Sequence, residues 1–547
     1  MSASLPETAE RCLPWTALEA MPDLAADYVT GAGTAPSYFP LDRTKLKDRH
    51  RAVEAAAARP RDRSTLADVL AEQNKRWGAT EATLANIEAL RDENTVAVVS
   101  GQQVGLFGGP LYTLYKTLTA IVWAKQLEAD TGRTVVPVFW VEGEDHDFDE
   151  VAHTTVLQRN APVSLAYAPD DVPTGPVGPH TLGAAIEDPL QALDEALPPS
   201  DFKPSVFGAI AEAYTSEATL EDAFARLITT YFGNTGLVLI NPDDRRLKAL
   251  VRPLIQHDMA TGHQAAQAVE EAGSALESDG YHAQVHARPT NFFWMEPDGR
   301  YAIDANEDGT YTLRHDGRTW THDEITARIE AHPERFSPNV VTRPLVQDQL
   351  LPTAAYVAGP GEVSYFAQYQ GVYAWADMPM PLIVPRASMT LVEGKVRKVL
   401  TKYDLSIADL QQDVEQLFQQ EVRRSMDVDI DAAFKETSTR IHKAINDLKP
   451  KATEVDDTLG RSVEATRAAF VNELNDLEHR VLRAEKRQHD ELRAQLEKAY
   501  ANLFPQRGLQ ERTVNAAYFL NKYSLDLIDT IQAQIDPFDP SHCIIDL

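Results

Sequence analysis

Cysteine is nearly absent from this chain of 547 residues: its two cysteines, Cys12 and Cys543, lie at opposite ends. A disulfide framework or a structural zinc site needs more cysteines at closer spacing, so neither is expected. The chain also lacks any run of about 18 apolar residues, which argues against a membrane-spanning helix. Its first residues, MSASLPETAERC, lack the basic and apolar regions of a signal peptide. We therefore expect a protein of the reducing cytoplasm.

Basic residues are also scarce: 52 Lys and Arg stand against 82 Asp and Glu, which gives a formal net charge of −30. Proteins bind nucleic acids and anionic membranes largely through Lys and Arg, so we expect neither partner. The acidic surface is typical of a salt-adapted cytoplasm or of a genome that favours Asp and Ala, and both explanations stay open. With 43% hydrophobic and 24% charged residues, the composition is that of a globular protein.

The hydrophobic pattern changes near residue 95. Residues 1–94 are predicted to form a mostly helical N-terminal segment packed on the core. A short apolar strand (95–100), a glycine-rich turn (101–110), an amphipathic helix (111–130) and a second apolar strand (134–141) follow. This order predicts a βαβ unit, and continuous apolar strands are typical of a parallel sheet covered on both faces.

Later strand patterns extend the predicted core over residues 95–386. They lie at 154–158, 236–241 and 381–386. Helical and mixed stretches between them predict inserts near 160–235 and 245–335. The second insert contains a predicted antiparallel meander, because apolar and polar residues alternate between the turns PDG, EDG and HDG. The fold class is therefore α/β, with a Rossmann-like parallel sheet.

Residues 387–505 are predicted to form a long α-helical coiled coil. Residues with the three- and four-residue spacing of a helix seam recur over 441–459 and over 463–488, and a break or a kink is expected near Pro450. The seam could pair within one chain as a hairpin or between two chains as a dimer. Residues 506–547 return to a mixed pattern and are expected to pack back on the core.

The glycine-rich turn is the first candidate binding site. Glycines allow close approach of the backbone to a ligand, and the N-terminus of the next helix attracts a phosphate or a carboxylate. The spacing matches neither the dinucleotide fingerprint nor the P-loop. The alternative is a structural turn beside a solvated lysine. The predicted binding residues here are Gln102, Gln103, Gly109, Pro110, Tyr112, Thr113 and Lys116.

Six carboxylates surround His146 within residues 142–150, directly after the second apolar strand. Ligands of open α/β sheets bind beyond the carboxyl ends of the strands. Crowded carboxylates are costly unless they face a cation, a metal or an amine, and crowding raises pKa values toward those of a general base. Magnesium is an option without a predicted ligand set, and a solvated acidic loop is the alternative. The predicted catalytic residues are Glu144, Asp145, His146 and Asp147.

Two later turns supply further candidates for substrate or phosphate binding. One is a Gly-Pro-Gly turn at 359–361, and the other follows the strand pattern at 381–386. The alternatives are an ordinary strand-to-helix turn and a helix cap. The predicted binding residues are Gly359, Gly361, Glu362, Tyr365, Arg386 and Ser388. No GxSxG or HExxH motif occurs, which argues against a serine hydrolase and a zinc protease.

Five segments resemble, in the same order, the cysteine-adding enzymes of bacillithiol biosynthesis, the BshC family. They are SGQQVGLFGGPLYTLYKTL, VPVFWVEGEDHDFDEVAH, GPGEVSYF, PRASMTLVE and LQERTVN. The resemblance covers most of the chain. It implies a Rossmann-type core related to class I nucleotidyltransferases, with connecting-peptide inserts and a coiled coil that supports a homodimer. It also implies a ligase that forms a carbon–nitrogen bond between L-cysteine and the amine of glucosaminyl-malate.

The resemblance further implies roles for the candidate residues. Glu144, Asp145 and Asp147 would hold the amine or the sugar hydroxyls, and His146 or Asp147 would accept the proton of the amine. Gln102, Gln103, Thr113 and Lys116 would orient malate carboxylates or phosphates.

Activation of the cysteine carboxylate implies ATP and a cysteinyl-adenylate, yet the chain departs from the nucleotidyltransferase motifs. The HxGH-like stretch Gly109–Thr113 has no histidine, and the KMSKS-like stretch Ala387–Thr390 has no lysine. Lys116 and Arg386 could replace those cations. Two other hypotheses stay open: a non-catalytic coiled-coil scaffold, and a nucleotidyltransferase that acts on another amino sugar.

Overall fold

A computed structural model describes residues 12–296, 298–425 and 430–547. They form two compact units. The first unit runs from the first described residue to Leu391 and resumes over Pro505–Ile545, and the second comprises Val392–Phe504 and the last two residues. Within the described ranges, no helix is long and apolar enough to cross a membrane.

A short strand and four helices open the first unit. They are β1 Cys12–Leu13, α1 Asp23–Thr30, α2 Leu46–Ala58, α3 Arg63–Arg76 and α4 Glu81–Ala89. The Asp62 carboxylate caps α3 by accepting a hydrogen bond from the Thr65 N–H. The predicted helical pattern is therefore confirmed from Asp23 onward, whereas residues 1–11 lie outside the described residues.

The predicted βαβ unit is confirmed. It consists of β2 Val96–Gln103, α5 Leu111–Thr131 and β3 Val135–Glu142. The two strands pair in parallel, with Val96 opposite Val135. Both are buried along nearly their whole length, because helices cover the two faces of the sheet.

The next segment contains the first insert. Its elements are α6 Phe148–Val151, β4 His153–Gln158, β5 Ala161–Ala166, α7 Glu187–Ala196, α8 Lys203–Ala213, α9 Leu220–Phe232 and β6 Val238–Ile240. The strand predicted at 154–158 exists, but β4 pairs antiparallel with β5 in a separate hairpin. The turn residues Arg159 and Asn160 both have positive φ angles, 50° and 65°, which suits a tight hairpin.

The second insert contains the predicted meander. Its elements are α10 Arg245–Ser278, β7 Phe292–Glu296, β8 Gly299–Ala305, β9 Tyr311–Leu313, β10 Thr319–Trp320, α11 His322–Ala331 and β11 Phe336–Pro338. The five strands form one sheet in the order β10-β9-β8-β7-β11, and neighbouring strands are antiparallel. The meander prediction is confirmed.

The chain then returns to the central sheet. The elements are α12 Arg343–Leu350, β12 Thr353–Ala358, α13 Pro360–Phe366, α14 Gln370–Trp375 and β13 Leu382–Pro385. The parallel sheet has the order β13-β12-β2-β3-β6. Its core packs side chains of β2, β12 and β13 against α2 and α5. The chain adds strands on one side of β2 and later on the other, so strand order reverses between β2 and β12.

The remaining elements follow in chain order. They are β14 Ser388–Val392, α15 Gly394–Tyr403, α16 Val414–Ser425, α17 Ile430–Val455, α18 Leu459–Leu503, α19 Gln510–Thr513, α20 Ala516–Tyr523, α21 Leu527–Gln532 and β15 His542–Asp546. Strand β15 lies between β1 and β14 in a three-stranded sheet. The helical prediction from residue 387 is therefore wrong over Ser388–Val392, because these residues find a strand partner near the end of the chain.

The coiled-coil prediction is confirmed in the form of a hairpin within one chain. Helices α17 and α18 pack on each other, and Lys449 Nζ lies 2.6 Å from Glu464 Oε1 across them. The helix does not break at Pro450, because α17 runs through it and the turn comes at residues 456–458. Pro450 is exposed, so water can bond the carbonyl that a proline leaves free. The seam positions from 482 to 488 have side chains outside those described.

Candidate functional site

A cavity of about 470 Å³ opens beyond the carboxyl end of β2, where strand order reverses. Six residues predicted from the sequence line it: Gln102, Gln103, Gly109, Pro110, Tyr112 and Thr113. Gly105 of the predicted glycine turn also lines it. The sequence analysis did not predict the other lining residues, namely Glu150, Val151, His153, Thr154, Thr155, Gln506, Arg512 and Thr513.

The glycine turn forms one edge of this cavity. Gly108 and Gly109 have φ angles of +87° and +73°, which favour glycine, and a Cβ on Gly109 would lie 3.1 Å from Thr113 Oγ1. The Asn515 side chain donates hydrogen bonds to the carbonyls of Phe107 and Gly109, at 3.0 and 2.9 Å. A residue from the last part of the chain therefore holds the turn in its left-handed form.

Two groups in the cavity wall are available to a ligand. Thr113 is 1% exposed, and its Oγ1 has no hydrogen-bond partner among the described residues. Arg512 is exposed and is the one Lys or Arg in the described lining of the cavity. Helix α5 starts at Leu111 without a side-chain cap, so its positive N-terminal end also adjoins the cavity. These features suit a ligand that carries carboxylates or phosphates.

The two glutamines at the end of β2 link this cavity to its neighbours. Gln102 donates to Tyr112 Oη at 3.2 Å and accepts from Lys116 Nζ at 3.0 Å. Gln103 donates to Asp145 Oδ2 at 2.8 Å and to Glu150 Oε2 at 2.6 Å. Both amides are thereby oriented, which is a requirement for precise hydrogen bonding to a substrate.

Lys116 is buried behind the glutamines. Its ammonium lies 2.5 Å from Glu362 Oε2 and 2.9 Å from the Gly101 carbonyl. Burial lowers the pKa of Lys116, although Glu362 opposes the change. Burial also acts to raise the pKa of Glu362, but Lys116 and the hydrogen bonds from Tyr356 and the Gly359 N–H outweigh it and lower that pKa. The pair is therefore a neutralised ionic contact.

One predicted residue of the Gly-Pro-Gly turn, Gly359, supports the ion pair of Lys116 and Glu362. The Gly359 N–H donates to Glu362 Oε2 at 2.6 Å, which orients the carboxylate toward Lys116. Gly361 is exposed, and burial raises the pKa of Tyr365. The sequence analysis missed Arg343, whose guanidinium lies 5.3 Å from the ring centre of Tyr356 and whose Nη2 is buried without a partner among the described residues.

Arg386 and Ser388 lie in a separate buried network. Arg386 Nη2 donates to Glu511 Oε1 at 2.6 Å, and Ser388 Oγ donates to both oxygens of Glu511 at 3.1 Å. His542 Nδ1 lies 2.8 Å from Ser388 Oγ. Burial lowers the pKa of His542 to about 4. Neither predicted residue lines the cavity, although the Arg386 guanidinium lies 5.6 Å from the ring centre of Tyr112, which does.

The acidic segment after β3 divides into an inner and an outer part. Glu144 is 4% exposed and pairs with Lys248 Nζ at 2.7 Å, so this predicted catalytic residue faces inward. Asp243 adjoins the pair, and burial together with Glu144 raises its pKa to about 7, opposed by Lys248. Burial and Glu144 also raise the pKa of Glu142.

The other three predicted catalytic residues lie farther out. Burial acts to raise the pKa of Asp145, but hydrogen bonds from Gln103 and the His146 N–H, together with the positive charge of Arg300, lower it. His146 is exposed, with Nδ1 3.3 Å from Asp145 Oδ1. Asp147 caps α6 by accepting from the Glu150 N–H. None of the four lines the cavity, whose nearest acidic residue along this segment is Glu150.

No metal site is built into the described parts of the chain: they contain no group of three or more His, Cys, Asp or Glu side chains arranged to hold an ion. The buried carboxylates near Lys248 are instead paired with that lysine or have raised pKa values. The lining residues that the sequence analysis missed come from two segments, 150–155 and 506–513. In the sequence, only the family resemblance pointed to the later segment, through the Gln-Glu-Arg-Thr run that follows a long helix.

Family models match nearly the whole chain. The model described as "Bacillithiol biosynthesis BshC, N-terminal Rossmann-like domain" matches residues 11–387, and the model of the BshC C-terminal coiled-coil domain matches residues 389–547. A relative from Salinibacter ruber, named "Putative cysteine ligase BshC", is 53% identical over 98% of this chain and 99% of its own length. Relatives of the same name from Chlorobaculum tepidum and Geobacillus kaustophilus are 36% and 31% identical, over 93% and 96% of this chain and 93% and 98% of their own lengths.

Proposed function

Because the chain belongs to the BshC family of bacillithiol biosynthesis, we propose that it is a cysteine ligase. In this proposal it joins the carboxyl group of L-cysteine to the amine of glucosaminyl-malate and forms an amide. The observation that carries the proposal is the polar cavity at the end of β2, with the free hydroxyl of Thr113 and the cation of Arg512 in its wall. We expect the reaction to take place in the cytoplasm, as the sequence predicts.

The cavity suits the chemistry of the amine substrate. Glucosaminyl-malate has two carboxylates, several sugar hydroxyls and one amine. Arg512, Thr113 and the N-terminus of α5 would bind the carboxylates, because all three favour negative oxygen. Gln102 and Gln103 both donate and accept hydrogen bonds, so their oriented amides would bind sugar hydroxyls.

The amine must lose a proton before or during its attack on a carbonyl carbon. Two groups in the cavity wall can accept it, the Glu150 carboxylate and the His153 imidazole. We assign the proton to one of these two in place of His146 or Asp147, which do not line the cavity. Asp145 is a weaker base because its pKa is lowered, and it would act by orienting Gln103.

The acyl half of the reaction needs an activated carboxylate, since hydroxide is a poor leaving group at neutral pH. We propose ATP as the co-substrate, with magnesium entering on its phosphates. The two cations offered by the sequence are already neutralised, Lys116 by Glu362 and Arg386 by Glu511. Arg512 alone is a poor match for a triphosphate, so the cavity is assigned to glucosaminyl-malate and no ATP contact is assigned to it.

The test is reconstitution with the purified full chain. L-cysteine, glucosaminyl-malate, ATP and Mg²⁺ should give bacillithiol, detected by mass spectrometry after thiol labelling, and omission of ATP should abolish it. Release of AMP or ADP identifies the bond that is cleaved. Absence of product under all conditions would support the scaffold hypothesis, and faster reaction with another amino sugar would support the second alternative.

We also propose that two copies pair through the hairpin of α17 and α18. Five large apolar side chains on this hairpin are exposed: Leu448, Val455, Leu459, Phe470 and Leu477. A second copy would remove them from water. Light scattering should give a dimer for the wild type and a monomer for Phe470→Glu combined with Leu477→Glu. Glu473→Lys, a charge change at an exposed position of the same helix, is the control that should stay dimeric.

A further inference from the structure

The two cysteines of the chain, 531 positions apart, meet at one end of the first unit. Strands β1 and β15 pair antiparallel, with Cys12 directly opposite Cys543. The two Sγ atoms lie 3.4 Å apart, and both thiols are free. Neither cysteine belongs to the cavity described above, so the proposed ligase reaction does not account for the pair.

The backbone around the pair already meets the requirements of a disulfide. Residues directly opposite each other on antiparallel strands have Cα atoms about 4.5–5.5 Å apart. Disulfide-bonded cysteines have Cα atoms about 4.4–6.8 Å apart. The two sulfurs can therefore bond through small side-chain rotations, without separation or sliding of the strands.

The two thiols differ in their access to a reagent. Cys12 is exposed, whereas Cys543 is partly buried. Burial, the neighbouring Cys12 thiol and the carboxylates of Asp539 and Asp536 raise the pKa of Cys543 to about 12. A reagent from solution therefore meets Cys12 first, because the raised pKa of Cys543 leaves less of that residue as the reactive thiolate.

We propose that Cys12 and Cys543 form a redox-modifiable site whose oxidant is a low-molecular-weight disulfide. The Cys12 thiolate attacks one sulfur of the reagent, so a mixed disulfide forms and one small thiol leaves. The Cys543 thiol then loses its proton to water and attacks the Cys12 sulfur, which breaks the mixed disulfide and releases the second small thiol. One reagent disulfide is reduced to two thiols, and the protein pair is oxidised to one disulfide.

Oxidation would join β1, the first described strand, covalently to β15, the last strand of the unit. Strand β15 also contains His542, whose ring nitrogens lie 2.8 Å from Ser388 Oγ and 2.8 Å from Thr390 Oγ1. Because the two cysteines are 531 positions apart, a disulfide between them would close a loop of more than 500 residues. Loop closure restricts the unfolded chain, so the oxidised protein should unfold at a higher temperature than the reduced protein.

The test exposes the reduced full-length protein to glutathione disulfide, blocks the remaining thiols with N-ethylmaleimide and maps the peptides by mass spectrometry. The wild type should lose about 2 Da, yield a Cys12–Cys543 cross-linked peptide and gain several degrees in its unfolding midpoint. Cys543→Ser should stop at the mixed disulfide on Cys12, and neither it nor Cys12→Ser should gain the thermal shift.

Three outcomes would overturn the proposal. The wild type could retain two alkylated thiols, accumulate the mixed disulfide without the cross-link, or form cross-links only between chains. A cross-linked protein whose unfolding midpoint is unchanged would disprove the claim that the link between the two strands stabilises the protein. Folding of both serine variants is checked by their circular dichroism in the reduced state, where they should match the wild type.

Discussion

The ends of the neighbouring strands β2 and β3 both carry polar residues, but the two sets of side chains differ in how they are paired. At the end of β2, Gln102 and Gln103 adjoin a cavity whose wall includes an exposed guanidinium and a hydroxyl that has no partner within the described ranges. At the end of β3, carboxylates dominate the sequence, yet the buried one, Glu144, is paired with Lys248. At the first end a hydroxyl and a guanidinium line the cavity, whereas at the second the buried Glu144 is already paired.

This difference follows from the cost of burying charge. A carboxylate removed from water needs a cation, hydrogen bonds or a proton, and Glu144 near this end has the cation of Lys248. Neutral amides and a hydroxyl cost less to bury, so they can stay incompletely paired beside a cavity. A dense run of acidic residues therefore identifies a site of electrostatic constraint, whereas the ligand is expected where polar groups remain unpaired.

The largest effect is expected from removal of the cation at the β3 end. Lys248→Met keeps most of the side-chain volume but leaves Glu144 buried without its partner. We expect the free energy of unfolding to fall by about 3–5 kcal/mol, measured by urea denaturation. Adding Glu144→Gln should restore part of this loss, because it removes the unpaired charge. Loss of less than about 1 kcal/mol, as is typical of ion pairs on a protein surface, would contradict this account.

The second prediction concerns Glu221, which packs against Gly143 at the same end. Its Oε2 has no partner among the described residues, and burial, followed by the charges of Asp243 and Asp222, raises its pKa from 4.5 to about 7. Because the folded-state pKa is the higher one, the wild type should lose stability as pH rises from about 4.5 to about 7, by at most about 3 kcal/mol from this group.

Glu221→Gln removes this titration while keeping the shape of the side chain. The variant should be more stable than the wild type at pH 8 and no more stable at pH 4.5, measured by urea denaturation at both values. A stability difference between the two proteins that does not change with pH would show that Glu221 does not titrate in this way.

The third prediction concerns the loss of the Arg512 cation from the cavity at the end of β2. Arg512→Ala should raise KM for glucosaminyl-malate roughly 10- to 100-fold, because a hydrogen bond to a charged group contributes about 1.5–3 kcal/mol. KM for cysteine should change less than about twofold. Arg288→Ala, at an exposed position outside the cavity, is the matched control and should leave both constants unchanged. Equal loss for both substrates would remove Arg512 from the proposed malate site.

The smallest effect is expected at Thr113. Thr113→Val should raise KM for glucosaminyl-malate about 3- to 10-fold and leave stability unchanged, since Oγ1 has no partner among the described residues to lose. Thr117→Val is the matched control, because the Thr117 hydroxyl donates to the Thr113 carbonyl at 2.9 Å. That variant should keep the wild-type KM. A Thr113→Val protein that is unstable but binds normally would contradict the assignment.

Several parts of the fold could be predicted because their signals are local. The βαβ unit, the meander and the helical hairpin each have a period or a turn pattern that spans a few residues. Strand β12, in the interior of the central sheet, was not predicted as a separate strand because three of its six residues are alanines, and it depends on its neighbours β2 and β13. Strand β14 was missed for a related reason, since its partner β15 begins at His542.

The candidate site divides in the same way. Gln102, Tyr112 and Thr113 could be predicted because a strand end and the start of the next helix are close in sequence and share an edge of the sheet. Arg512 and His153 could not, because the chain brings them to the cavity from segments about 400 and 40 residues away. The predicted residues Arg386 and Ser388 follow a strand, as expected, but a buried glutamate from the same late segment binds them.

The sequence by itself determined the family, the α/β class and the presence of a glycine turn between strand and helix. These depend on residue types and short-range periodicity, which are properties of neighbouring residues. Only the tertiary structure decided which polar groups are paired. It buried Glu144 against Lys248, left Thr113 Oγ1 without a hydrogen-bond partner in the described part of the chain and brought Cys12 to Cys543. Such pairings join residues about 100 to more than 500 positions apart, and they depend on how the whole chain packs.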